Sequence, residues 1–159
     1  MAHTHGSCDF SELKHLKSKL EQLETKQFEN FCRSCAKELA ARLLAKVISR
    51  TPVGIYPKST GKMGGTLKRG WTASKGIAPY EYIKYLPVYK HGCIYQIEII
   101  NPVSYASYVE FGHRTRDHKG WIPGRFMLTV SEQELNITAP QILERKLFKL
   151  FKESFNGAH

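Results

Sequence analysis

No stretch of this chain approaches the roughly 20 consecutive apolar residues that a membrane-spanning helix requires, so no membrane association is expected. The opening Met1-Ala-His-Thr-His-Gly6 has no charged segment followed by an apolar one. A secretory leader is therefore not expected, and the chain is read as made and assembled in a bacterial host cytoplasm. Asn136-Ile-Thr138 has the form of a glycosylation site, which carries no meaning in that compartment. Cysteine is sparse: Cys8, Cys32, Cys35 and Cys93 are irregularly spaced, as suits free thiols under reducing conditions. Cys32 and Cys35 form a lone pair two residues apart, and a structural zinc site needs a second ligand pair. They are expected to be small buried apolar side chains. Internal repeats and low-complexity segments are absent. Acid is scarce in the middle of the chain, where residues 55–92 carry seven Lys or Arg against one Asp or Glu, within an overall charge of +10. Such an excess either solvates a loop or meets a nucleic acid or acidic protein surface.

Catalytic patterns are also missing. Gly54-Ile55-Tyr56 matches the first half of a GIY-YIG nuclease signature, but the second half does not follow. Gly61-Lys62 sits like the end of a phosphate loop, yet Tyr56 and Met63 occupy the positions that need glycine and Ser or Thr. His113, Asp117 and His118 share one loop, a spacing that fixes no metal or acid–base geometry. Glu110 stands alone among aromatic and small residues, and pairing with an arginine of its own or a neighbouring subunit explains it better than a general-base role. No catalytic residue, metal ligand or cofactor is expected.

With 159 residues and a hydrophobic fraction of 42%, the chain can bury a real core without disulfides. Residues 1–8 read as a flexible tail. Leu13, Leu16, Leu20 and Leu23 give an amphipathic helical extension over 9–24. Residues 25–159 form the remaining single domain. A second long helix runs from about Thr25 to Arg50, with Phe28, Cys32, Cys35, Leu39, Leu43 and Val47 on one stripe, and Thr51-Pro52 ends it. A long basic loop rich in glycine follows over 53–70. Residues 80–89 and 93–100 are expected to be strands, with Ile94, Gln96, Glu98 and Ile100 on one face and Tyr95, Ile97 and Ile99 on the other. Tyr105–Phe111 reads as a short aromatic segment like a strand, 113–122 as a charged loop, and 125–135 and 140–155 as two helices. The expected class is α+β: long N-terminal helices, an antiparallel sheet of about three to five strands, and C-terminal helices packed on one face.

Three blocks occur in order. Tyr105-Ala-Ser-Tyr-Val-Glu-Phe-Gly-His113 resembles the Tyr-Ala-x-Tyr-Val-Glu-Phe-Gly-Thr pattern of phage tail-completion, or neck, proteins, the family typified by gene product ten of a lambdoid phage. Thr51-Pro-Val53 followed by Gly61 and Leu67-Lys-Arg-Gly-Trp71 resembles its Thr-Pro-Val…Thr-Gly…Leu-Arg-x-Ser-Trp block, and Trp121–Leu128 its Pro-x-Arg-Pro-Phe-Leu block. The resemblance spans about residues 25–155. It departs in a longer loop at 54–65 and in Pro-Gly-Arg-Phe at 123–126.

The resemblance implies a structural subunit of a bacteriophage or phage-tail-like particle, located at the neck or tail top. There it completes the tail and joins it to the head connector or collar. It implies a homo-oligomeric ring, of about six subunits, next to tail tube or terminator, sheath or head-connector proteins. Tyr105, Tyr108, Glu110, Phe111, Gly112, His113, Arg114, Arg116, Trp121 and Arg125 are its candidate interface residues. Lys58, Lys62, Lys68 and Arg69 are candidates to face DNA or a partner, because DNA passing through a ring is met without base readout. Two other readings are a nucleic-acid-binding module using 55–92 with Trp71, Tyr80, Tyr82 and Tyr85, and a metal-dependent nuclease built on Glu110, His113, Asp117 and His118.

Overall fold

The computed structural model describes residue 18 and residues 27–61, 63–73 and 75–156. The expected tail at 1–8 and extension at 9–24 lie outside the described residues, apart from Ser18, which is helical; Lys62 lies outside them too. The described elements are α1 (Phe28–Arg50), a 3-10 turn (Lys58–Thr60), α2 (Thr66–Gly70), α3 (Pro79–Lys84), β1 (Tyr89–His91), β2 (Ile94–Gln96), α4 (Ala106–Phe111), β3 (Gly112–Arg114), β4 (Trp121–Pro123) and α5 (Met127–Asn156). The class is α+β. Its four short strands form two separate antiparallel pairs, β1–β2 and β3–β4, rather than one sheet.

The core lies where α1 meets α3 and α5. Ala41, Leu44 and Val47 of α1 pack with Leu67, Trp71, Ile83 and Met127. Ala41 allows close approach, and each larger side chain contributes about 1.5–3 kcal/mol by leaving water. At the end of α1 the Thr51 hydroxyl donates to the Val47 carbonyl (2.7 Å), and the Trp71 indole N–H donates to that hydroxyl (2.8 Å). Helix end and core are thereby tied together.

Four stretches differ from the sequence reading. Residues 79–84 are helical, not extended: Pro79 fits a first helical turn, Glu81 and Lys84 pair three residues apart, and Ile83 is buried. Residues 106–111 are helical because Ala106, Val109 and Glu110 turn inward at helical spacing. Within 53–70, α2 delivers Leu67 and Gly70 to the interior. The C-terminal region is one helix of 30 residues with Pro140 inside it. Pro140 and Asn136 are both exposed, so the carbonyl that loses its helical partner faces water, while the inward stripe runs unbroken through Ser131, Leu135, Ala139 and Ile142.

Ion pairs lace α1 to α5: Glu134 accepts from Lys46 and Arg50, and Glu38 from Lys146. The Lys146 bond is the main cause that holds the Glu38 carboxyl below its ordinary value of 4.5. The bond from Lys46 does the same for Glu134. A depressed folded pKa stabilises above the unfolded value and is lost as pH falls through the folded one. Thermal denaturation should therefore show stability flat from neutrality to about pH 5 and falling below roughly 4.5. Lys146→Met should lower the neutral plateau and flatten that acid limb. An unchanged acid limb would count against the pair.

Candidate functional site

The Tyr105–Leu128 region is organised around Glu110. Its side chain is 6% exposed. One carboxylate oxygen accepts the Leu128 amide (2.9 Å), and the other accepts the Thr129 amide (2.9 Å) and the Thr129 hydroxyl (2.8 Å). Those amides are among the donors that the first turn of α5 leaves without helical partners. The carboxylate therefore caps a helix that begins far along the chain, with the helix dipole favouring its charge. The expected pairing of Glu110 with an arginine is replaced by this cap.

Main-chain bonds close the same junction. The Arg125 amide donates to the Val109 carbonyl (2.8 Å) and the Phe126 amide to the Glu110 carbonyl (3.0 Å). Gly112 ends α4 at φ +87°, and a Cβ there would lie 2.5 Å from the Ile122 carbonyl oxygen. A Cβ on Gly124 would lie 2.2 Å from the Glu110 carbonyl oxygen. Only glycine allows these two backbones to touch.

Residues 113–122 form a β-hairpin rather than an irregular charged loop, with Gly112 opposite Pro123 and Arg114 opposite Trp121. Its turn is folded around Thr115. The Gly120 amide donates to the Thr115 hydroxyl (2.9 Å), and that hydroxyl donates to the Asp117 carboxylate. The latter bond is the main cause that lowers the Asp117 pKa. Asp117 is thus a turn-forming residue. His113 is half-buried, its ring edge-on to Tyr108 at 5.8 Å, and its Nδ1 has no hydrogen-bond partner among the described residues. Among the described residues no three His, Cys, Asp or Glu side chains gather as a metal site. Cys35 is buried and Cys32 half-buried, and burial pushes both thiols up, away from the thiolate form.

The remaining candidates lie outward. Tyr105, Tyr108, Phe111, Trp121 and Phe126 are each more than 40% exposed. Arg114, Arg116 and Arg125 are exposed, and Gly112 is buried in the junction. Opposite α4, the 52–67 segment and Arg125 frame a groove of about 340 Å³ floored by Gly54, Gly64 and Gly65 beside Tyr105 and Val109. Lys58 and Arg69 are exposed and Lys68 is half-buried.

Charge is distributed unevenly. Ion pairs among the described residues lie within or between α1, α3, β1 and α5 and involve Arg33, Arg42, Lys46, Arg50, Lys84, Lys90, Lys146 and Lys149. None involves Lys58, Lys68, Arg69, Arg114, Arg116, Lys119 or Arg125. Most cations of the helical body are paired internally, Lys37, Lys75, Arg145 and Lys152 excepted, whereas none of those in 58–69 and 114–125 joins an ion pair among the described residues; Arg69 donates to the Gly64 carbonyl (3.1 Å).

The hydrogen-bonding roles of two residues were not read from the sequence. Thr51 receives the Trp71 indole, and Asn101 donates to the Leu67 carbonyl (2.9 Å) while a Cβ on Gly70 would meet its side chain at 2.3 Å. The Gly-Trp pair after a Leu was the one local signal for both.

A family model described as "Bacteriophage HK97-gp10, putative tail-component" matches residues 14–112, more than half of the chain. No curated protein and no solved structure matches.

Proposed function

The chain belongs to the HK97-gp10-like family of phage tail components, and on that premise we propose that it is a structural subunit completing the top of the tail. There it joins the tail to the head connector or collar as one member of a ring, of about six copies. The observation that carries this reading is the contrast between a helical body whose cations are mostly paired internally and one region, α4 with the β3–β4 hairpin and the 52–67 segment, rich in exposed aromatics and in cations that join no ion pair among the described residues. Aromatic and arginine side chains of this kind dominate the energetics of protein interfaces. Phe111, Trp121, Arg114 and Arg125 face the next copy or the adjoining tube, terminator, sheath or connector protein. Lys58 and Lys68 meet passing DNA, which needs charge and no sequence readout, and Arg69, whose guanidinium donates to the Gly64 carbonyl (3.1 Å), adds its charge beside them.

Trp121→Ala tests it. Trp121 is 60% exposed and outside the core, so the fold and its denaturation midpoint should not move. Association should weaken roughly 30-fold, the worth of one interface anchor of about 2 kcal/mol. Particles assembled with the variant should accumulate unjoined heads and tails in electron micrographs. Fully joined particles from a strain lacking the subunit would overturn the proposal. Salt-sensitive binding of duplex DNA without assembly would instead favour a nucleic-acid-binding module.

A further inference from the structure

Two stretches of main chain lack partners, and their charges are opposite. The first continues β2. Burial alternates residue by residue beyond Gln96, with Ile97, Ile99 and Asn101 turned in and Glu98 and Ile100 turned out. A period of two marks an extended strand. The β1–β2 ladder nevertheless stops at Tyr89 opposite Gln96. To continue it, Pro87, which has no N–H, would have to oppose Glu98, and the preceding Leu86 amide is already bonded to the Ile83 carbonyl at the end of α3 (3.1 Å). Residues Ile97–Ile100 therefore make no backbone hydrogen bond among the described residues. Glu98 is exposed and joins no ion pair among them, and Ile100 is 61% exposed. An open strand edge of this kind is a template for a further strand.

The second stretch is the arm beyond Pro52. A Cβ on Gly64 would fall 2.0 Å from the Gly54 carbonyl oxygen, so the arm is pinched at its base. Past that point Ile55 is 97% exposed and Met63 82%, and Val53–Tyr56 make no backbone hydrogen bond among the described residues. Lys58 follows, exposed and without an ion pair among them.

Pairing strand 97–100 with the same strand of another copy would bring two Glu98 carboxylates together, which is unfavourable. Pairing it with the arm does the reverse. We propose that the Ile55–Lys58 arm of one copy lies antiparallel along strand Ile97–Ile100 of the next, with Lys58 opposite Glu98 and Tyr56 opposite Ile100, so that Pro57, which has no N–H, opposes Ile99 and turns away from the ladder. Main-chain bonds hold the added strand and the side chains set its register. The contact joins unlike surfaces, so it propagates around an axis and closes a ring. This seam rests on the ring reading above.

The full-length chain, studied by sedimentation and amide hydrogen exchange, tests the seam. In the assembled form the amides of Ile97–Ile100 should exchange far more slowly than in dilute monomer. Glu98→Lys should raise the concentration for half-assembly roughly tenfold, Lys58→Glu should do likewise, and the two together should restore assembly. Assembly that leaves those amides unprotected, or that Glu98→Lys does not disturb, overturns the seam and leaves the ring standing. A wild-type chain that stays monomeric at every concentration overturns both. Protection that arises only when another protein is added, without self-assembly, assigns the edge to that protein and overturns pairing between copies.

Discussion

Trp71→Ala should destabilise the fold by about 4 kcal/mol, within the range for removing a buried aromatic side chain. Total stabilities of small domains are about 5–15 kcal/mol, so this loss approaches unfolding at physiological temperature. Trp71 is 4% exposed and packs in the cluster that joins α1, α2, α3 and α5. Its indole N–H also donates to the Thr51 hydroxyl, which donates onward to the Val47 carbonyl. The two contributions separate by substitution. Trp71→Phe keeps much of the ring and loses the N–H, for an expected cost of about 1–2 kcal/mol. Thr51→Val keeps the ring and leaves a buried N–H unpaired, for about 1–3 kcal/mol. Urea denaturation followed by circular dichroism measures all three. A cost for Trp71→Ala no larger than that for Trp71→Phe would mean that the ring's packing contributes little.

The same comparison explains what was readable in the chain. The stop of α1 at Thr51-Pro52 follows from local rules and appears as expected; its apolar stripe does so only in part, since Cys35 and Val47 are buried while Phe28 is exposed and Ala41 and Leu44 form the centre of the contact. The alternation from Ile94 to Ile100 also assigned the two faces of that stretch correctly, although only Ile94–Gln96 find a partner strand. Residues 79–84 and 106–111 were misjudged for one reason. Aromatic and β-branched residues favour strands only as far as their neighbours allow, and here Pro79 starts one helix while Glu110 has to reach the start of α5 in the other. Spacing held the correction, since Ala106, Val109 and Glu110 recur at three and four. The exposed aromatics of the candidate interface were legible as a motif. The groove beside them was not, because it depends on Gly54, Gly64 and Gly65 meeting α4 across the chain.

Glu110→Ala should cost about 3 kcal/mol, although the residue is no member of the apolar cluster and joins no ion pair among the described residues. The carboxylate meets two amides and one hydroxyl at the first turn of α5, and bonds to an ionised acceptor are stronger than neutral ones. Alanine would leave those donors half-buried without a partner, at the end of the helix that brings Met127 and Leu135 to the interior. Glu110→Gln keeps the shape and one acceptor oxygen, so its cost should fall between wild type and alanine. Hydrogen exchange should locate the damage: the amides of Leu128 and Thr129 lose protection first, while the centre of α1 changes only with global stability. Equal loss at every amide would show that Glu110 acts on the whole fold and not on the cap. The pair Glu110→Ala and Trp121→Ala then divides the motif region by role. The first should impair assembly in proportion to lost stability and recover in part on cooling or with stabilising solutes. The second should impair it with the denaturation midpoint unmoved. Glutamate, glycine and the inward small residues of Tyr105–Gly112 are thus fixed by the junction between α4 and α5, and the outward aromatic rings are left to the partner.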